Sequence, residues 1–223
     1  VSFFKRRDIY SNKKQNQVIS VENLRLVNAL PGDNAYSCKD PVFLMLLFAD
    51  AERSLERLRA LAGRLERQVP GAVASVPGLK DVGRVFAKVL EKYRGDFSKI
   101  TDLARATIKC HSLKALFAVL QLLSDDSTFT LVLIKNRLMP EFDADEAGGY
   151  RDMLLNLRDV ASGHIVELQL TLDALFEVKM HGEGGHVAYE VARVLGLFDM
   201  NINVHRGTLT PSVMQGVESG LFR

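Results

Sequence analysis

His164-Ile-Val-Glu-Leu-Gln-Leu-Thr-Leu172 is the stretch on which the fold turns. Val166, Leu168, Leu170 and Leu172 fall at every second position, with Glu167, Gln169 and Thr171 between them. Period two is the period of a β-strand, which sends alternate side chains to opposite faces. One face of this strand therefore packs, and the other presents a carboxylate beside an amide. That pair suits the floor of a site for a metal-bound nucleotide. It is also common on solvent-facing strands, so the neighbouring segments have to decide.

Working outward, Asp173 to about Leu195 reads as a helix interrupted at Gly182 to Gly185, and the tail from Asn201 is weakly patterned. Upstream, Arg151 to Arg158 reads as a strand, turned into the next one by Asp159 to Gly163 and preceded by a turn-rich loop at Pro140 to Gly149. Phe129 to Leu138 alternates and is rich in β-formers, a further strand. His111 to Leu123 is an apolar helix, Ile100 to Cys110 a strand, and Asp81 to Tyr93 a helix. Val69 to Pro77, full of Pro, Gly and small residues, reads as a break. Asp40-Pro41 starts a long helix with a capping carboxylate and a proline at the first helical position. Leu55, Leu58, Leu61 and Leu65 carry its apolar stripe to about Gln68, and alternating Glu and Arg give it a solvated face. The expected fold is α+β: a mixed β-sheet of about four or five strands flanked by helices and preceded by a long N-terminal helix. The expected divisions are a polar basic arm at 1–40, that helix at 41–70, the sheet domain at 71–197 and a C-terminal tail at 198–223.

The chain has 223 residues, 47% hydrophobic and 25% charged, enough for one full core. A net charge of +2 excludes binding to nucleic acid through bulk charge, though not a local basic groove for phosphates. Cys38 and Cys110 lie far apart and in no metal-binding pattern, which favours a reducing, cytoplasmic setting. The longest apolar run, Val42 to Ala49, is too short to span a membrane. The opening Phe3-Phe4-Lys5-Arg6-Arg7, without an initiating Met, reads as a piece of a longer polypeptide.

Glu167, Gln169, Gly182, His186 and Tyr189 stand at spacings that resemble the signature of the RelA/SpoT-type (p)ppGpp synthetases. In that family a Glu-x-Gln-x-Arg-Thr strand leads into a helix with Gly and then Ala-Ala-His-x-x-Tyr. Gly148-Gly149-Tyr150-Arg151 resembles the family's Asn-Gly-Tyr-Arg-Ser-Leu-His, and Lys135-Asn136-Arg137-Leu138 its preceding basic segment. Asp102-Leu103 resembles the Asp-Leu that opens a core strand, and Lys80 and Lys88 fall near the positions of the cations that grip ATP. The resemblance covers about residues 78 to 190.

The resemblance implies a nucleotide pyrophosphokinase that moves pyrophosphate from ATP to a ribose hydroxyl and releases AMP. It implies Mg²⁺ held by Asp102 and Glu167, with Glu167 also able to take the proton of the attacking hydroxyl. Lys80, Arg84 and Lys88, at i, i+4 and i+8, would line one helix face toward the triphosphate. Lys135, Arg137 and Gln169 would contact phosphate or ribose, Tyr150 would stack on the acceptor base, and His186 would hold the helix against the sheet. Three departures stand out: Gly78 and Thr171 replace family arginines, and Leu154 replaces a histidine. The donor half is therefore better kept than the acceptor half. GDP or GTP, another nucleotide, or an RNA 3′ end all stay open as acceptors, as does the oligomeric state. Two other readings stand beside this one: a catalytically inactive nucleotide-binding or interaction module, and a toxin or effector domain delivered to a target cell's cytoplasm. No His-Asp pair is present, so the family's hydrolase activity is not expected.

Overall fold

The computed structural model describes residues 18–20, 28, 36–140, 142 and 151–181. Its elements in chain order are β1 (Val18–Ser20), α1 (Pro41–Gln68), β2 (Ala72–Ser75), α2 (Val82–Tyr93), a 3₁₀ turn at Phe97–Lys99, β3 (Arg105–Cys110), α3 (Leu113–Ser124), β4 (Phe129–Asn136), β5 (Met153–Asp159), β6 (Ile165–Leu172) and α4 (Asp173–His181). The strands form one mixed sheet in the order β1-β4-β5-β6-β3-β2. Only β3 and β6 run parallel; the other pairs are antiparallel.

The helix starts follow from capping. Asp40 accepts from the Val42 N–H at 2.8 Å with Pro41 behind it, Asp81 from Arg84 at 3.0 Å, and Ser112 from Ala115 at 3.2 Å. Each bond satisfies a backbone donor that the first turn leaves without a partner. α2 stops where Arg94 turns left-handed, followed by Gly95 at φ 85°.

The alternation in β6 works as its pattern requires. Val166, Leu168 and Leu170 join Ala106, Ile108 and Cys110 of β3 and Leu155 and Leu157 of β5 in the main core. That core is closed by Leu55, Leu58, Leu61 and Leu65 of α1 and Ala115, Leu116 and Val119 of α3. A smaller core lies beside it. Phe43, Leu44, Leu47 and Ala51 of α1 pack with Val85 and Val89 of α2 and with Phe97, Ile100 and Leu103. The opposite face of the sheet carries the polar residues. Glu167, Gln169 and Thr171 pair across β3 with Arg105, Thr107 and Lys109, and Glu167 and Gln169 pair across β5 with Asn156 and Leu154.

The structure adds strands to the expected sheet and moves one boundary. The break at 69–77 contains β2, an edge strand held to β3 across Gly71, whose φ of +82° turns the chain out of α1. Its small residues hid it, because a four-residue edge strand needs few large side chains to pack. β1 adds a sixth strand from within the arm. The strand expected from Ile100 begins only at Arg105, since Ile100 and Leu103 leave strand alternation to fill the smaller core. The helix expected from Asp173 is described to His181; its continuation, Gly182, His186 and Tyr189 lie outside the described residues. Among the described residues, no helix is long and apolar enough to cross a membrane.

Candidate functional site

Asp102 ends the link between the smaller core and β3. Its neighbours Ile100 and Leu103 are anchored inward, which leaves the carboxylate facing the polar side of the sheet. There it accepts from Lys80 Nζ at 2.5 Å and from Lys88 Nζ at 2.9 Å, both on Oδ2. Lys80 is fixed through its backbone, whose N–H donates to the Leu103 carbonyl at 3.0 Å. Lys88 arrives from the buried side of α2, between Val85 and Val89. Asp102 Oδ1 is buried and has no hydrogen-bond partner among the described residues.

Glu167 stands beside this cluster at the start of β6, where its N–H donates to the Ala104 carbonyl at 3.0 Å. Its Oε1 accepts from Gln169 Nε2 at 2.8 Å. Burial, then the nearby negative charge of Asp102, push the Glu167 carboxyl above its ordinary value. Burial also opposes the charge of Asp102, but Lys88 and Lys80 outweigh it and hold that carboxyl below the usual range. The two neighbouring carboxyls are thus shifted in opposite directions, Asp102 down by its lysines and Glu167 up by burial. Burial lowers Lys80, helped by Lys88 and Arg105 and only partly offset by Asp102. Lys88, equally penalised by burial, is carried above its ordinary value by Asp102.

The remaining candidates spread over the same face. Lys135 on β4 pairs with Leu154, which pairs with Gln169, so the lysine lies two strands from the amide. Arg137 is tied to the buried Asp152, with Nε at 2.6 Å from Oδ1 and its backbone N–H on the Asp152 carbonyl at 2.8 Å. Arg84 does not join Lys80 and Lys88. Lys80 lies ahead of the helix rather than on it, so the expected common face does not form; Arg84 is exposed, and its side chain makes no ion pair among the described residues. Tyr150 and His186 lie outside the described residues.

Sequence reading missed Arg105 and Lys109. Arg105 is half-buried beside Glu167 and makes no ion pair among the described residues. Lys109 lies beside Thr171, its ammonium 4.8 Å from the centre of the Phe176 ring on α4. The signal was present: Arg105, Thr107 and Lys109 alternate with Ala106, Ile108 and Cys110, so β3 has the same two-faced pattern as β6.

Two neighbouring carboxylates, one with a buried oxygen that lacks a hydrogen-bond partner among the described residues, suit a hard divalent cation that takes one or two protein carboxylates and completes its shell with water and phosphate oxygens, as Mg²⁺ does. They do not suit an all-protein cage: among the described residues no three His, Cys, Asp or Glu side chains come together as ligands.

No protein-family model matches the chain, and no curated protein matches it by sequence. Among solved structures, it resembles the small alarmone synthetase 1 of Bacillus subtilis bound to its product pppGpp. The TM-score is 0.51 at 15% identity, over 81% of this chain and 89% of that one. A GTP pyrophosphokinase family protein from Streptococcus pneumoniae also gives 0.51, at 11% identity, over 80% of this chain and 84% of that one. The Type VI effector Tas1, solved with its immunity protein, gives 0.48 at 18% identity, over 78% and 90%. The first two likenesses show the fold: this chain has the α+β architecture of the RelA/SpoT-type synthetases, with α1 in front of the sheet.

Proposed function

We propose that this protein is an ATP-dependent pyrophosphokinase that transfers the β,γ-pyrophosphate of ATP to a ribose hydroxyl of a nucleotide or RNA 3′-end acceptor. The observation that carries the reading is Asp102: a buried carboxylate that gathers two lysines on one oxygen, has no hydrogen-bond partner on the other among the described residues, and stands beside Glu167.

Asp102 and Glu167 would hold Mg²⁺, which when bound neutralises charge on the phosphate oxygens. Lys80 and Lys88 pair with Asp102 in the absence of ligand, and on flexible stems they can turn to the triphosphate. Two lysines set against Asp102 leave little net positive charge for a polyphosphate. Arg105, beside Glu167 and close enough to Lys80 to lower it, adds the next cation. Arg84, exposed on α2, lies at the outer margin of this group.

In the reaction, the acceptor hydroxyl oxygen attacks the β-phosphorus, the bond from that phosphorus to the α,β-bridging oxygen breaks, and AMP leaves. The hydroxyl proton would go to Glu167, a carboxylate within reach of the same cluster. Gln169 fixes the Glu167 side chain by its amide and so orients that base. Phosphoryl-type transfer asks mainly for positioning and charge stabilisation, which this cluster of opposite charges supplies. On the acceptor side, Lys135 and Arg137 would take phosphate contacts, and the base-stacking role that the family resemblance implies for Tyr150 falls outside the described residues.

The test is incubation with ATP, Mg²⁺ and a panel of nucleotide and RNA acceptors, following AMP and the mass of the product. AMP and an acceptor heavier by one pyrophosphate are expected, and Glu167→Gln should abolish both. If ATP binds and no acceptor yields AMP, the enzyme reading is lost and a nucleotide-binding module remains.

A further inference from the structure

Asn28 belongs to the arm that precedes α1, yet it is buried and holds both carboxylate-bearing segments. Its Nδ2 donates to the Ile100 carbonyl at 2.5 Å, and its Oδ1 accepts from the Ile165 N–H at 2.7 Å. Its own backbone N–H donates to the Ser98 carbonyl at 2.8 Å. Ile100 stands two residues before Asp102, and Ile165 two residues before Glu167. The next link between the same segments is direct, from Glu167 N–H to the Ala104 carbonyl. The side-chain amide thus acts as an inserted rung. It replaces a direct bond of about 2.9 Å with a donor and an acceptor one amide apart, and spreads the two segments just ahead of the carboxylates. A carboxamide carries its donor and its acceptor on separate atoms, so it can donate to one segment and accept from the other at once.

We infer that Asn28 is a positioning residue that sets the placement of Asp102 relative to Glu167, so that a residue well ahead of α1 in the chain belongs to the site. The functional consequence rests on the pyrophosphokinase reading; the strut itself does not. Burial matters here, because a buried carbonyl and N–H left without partners cost free energy. The arm touches the same segment a second time, where Phe97 N–H donates to the Cys38 carbonyl at 2.9 Å.

The test uses the full chain with Asn28→Ala and Asn28→Asp. Asp keeps the acceptor for Ile165 and loses the donor to Ile100. Hydrogen exchange measures the strut without reference to activity. In Asn28→Ala, residues 98–104 and 164–168 should exchange faster together, with α3 and the β4–β5 pair unchanged. In Asn28→Asp, only 98–104 should loosen. AMP release, below the melting temperature of each variant, measures the consequence. A displacement of about 1 Å in a reacting group can cost on the order of a hundredfold, so kcat should fall ten- to a hundredfold. The Mg²⁺ concentration for half-maximal rate should rise, with the KM for ATP at saturating Mg²⁺ little changed. Wild-type kcat and Mg²⁺ dependence in a folded variant overturn the inference, as does unchanged exchange in both segments. Failure of both variants to fold also overturns it, since Asn28 would then serve the whole fold. If the wild-type chain releases no AMP, the pyrophosphokinase reading fails and the exchange result alone judges the strut.

Discussion

Asp159, at the end of β5, accepts on Oδ2 from Ser54 Oγ at 2.6 Å, Arg57 Nε at 2.8 Å and Ser162 Oγ at 2.9 Å, and on Oδ1 from the Ala161 N–H at 3.0 Å. Asp102 takes two lysines on one oxygen and, among the described residues, nothing on the other. Both are buried, and both are held below the ordinary carboxylate range despite that burial, Asp159 chiefly by Arg57 and Asp102 chiefly by Lys88. The difference lies in how complete and how stiff the partners are. Short hydroxyls, a backbone amide and a planar guanidinium saturate Asp159 and lock the β5–β6 turn to α1. Long lysine stems and one unpartnered oxygen leave Asp102 less fully tied down than Asp159. His164 beside Asp159 sharpens the contrast. Ser54, Asp159 and His164 are the residue types of a hydrolase triad, but the aspartate takes the serines. Both His164 ring nitrogens lack hydrogen-bond partners among the described residues, so no proton relay links the three among those residues.

The largest effect that could break this comparison is on rate. Asp102→Asn should lower AMP release by about a thousandfold, on the order of 4 kcal/mol in the barrier, with a modest change in melting temperature. A variant that melts early yet turns over normally would make Asp102 the scaffold carboxylate. Asp159→Ala should do the reverse, costing about 3–5 kcal/mol of stability because Arg57 loses its buried partner. Its kcat per folded molecule should stay near that of the wild type, as denaturant titration and kinetics together would read.

Next is pH. Burial lowers His164 from 6.5 to about 4. The unfolded chain therefore takes up a proton that the folded chain refuses, and stability falls as pH drops from about 6.5 toward 4. The loss reaches roughly 3 kcal/mol. Below that window, the depressed Asp159 and Asp102 continue the loss, because their contribution needs the ionised form. Denaturant midpoints across pH 4–7 check this, and His164→Gln should flatten the curve. The smallest effect concerns added charge. Arg105→Ala should raise the KM for ATP about tenfold, roughly 1.4 kcal/mol. A Cβ at Gly78 would meet nothing within 4 Å, so Gly78→Arg should be tolerated and should restore part of that loss. If Arg105→Ala binds ATP as well as the wild type, the cation count around the triphosphate is complete without it.

Much of this was legible from local pattern. Alternation in β6 gave the strand, its packed face and the outward Glu167 and Gln169. Asp40-Pro41 gave the start of α1 to the residue, because capping is a local competition for the first-turn N–H groups. Lys80, Lys88 and Asp102 were singled out only by resemblance to the synthetase family. Less was legible where packing overrode pattern. Ile100 and Leu103 look like strand residues and serve the smaller core instead, which is why β3 starts late. Arg84, Lys80 and Lys88 fit one helical spacing and still share no helix face, because the helix begins after Lys80.

By itself, then, the amino-acid sequence determined the two-faced strands, the helix starts and the residue types available to a phosphate site, all consequences of backbone periodicity and short-range hydrogen bonding. Only the tertiary structure decided which of those residues meet. Lys80 reaches Asp102 from the lead-in to α2, and Lys88 from its buried side. Arg105 joins Glu167 through a parallel register, and Asn28 arrives from the arm to hold the two carboxylate segments apart. Such meetings depend on where the two cores place each element, and no local period encodes that.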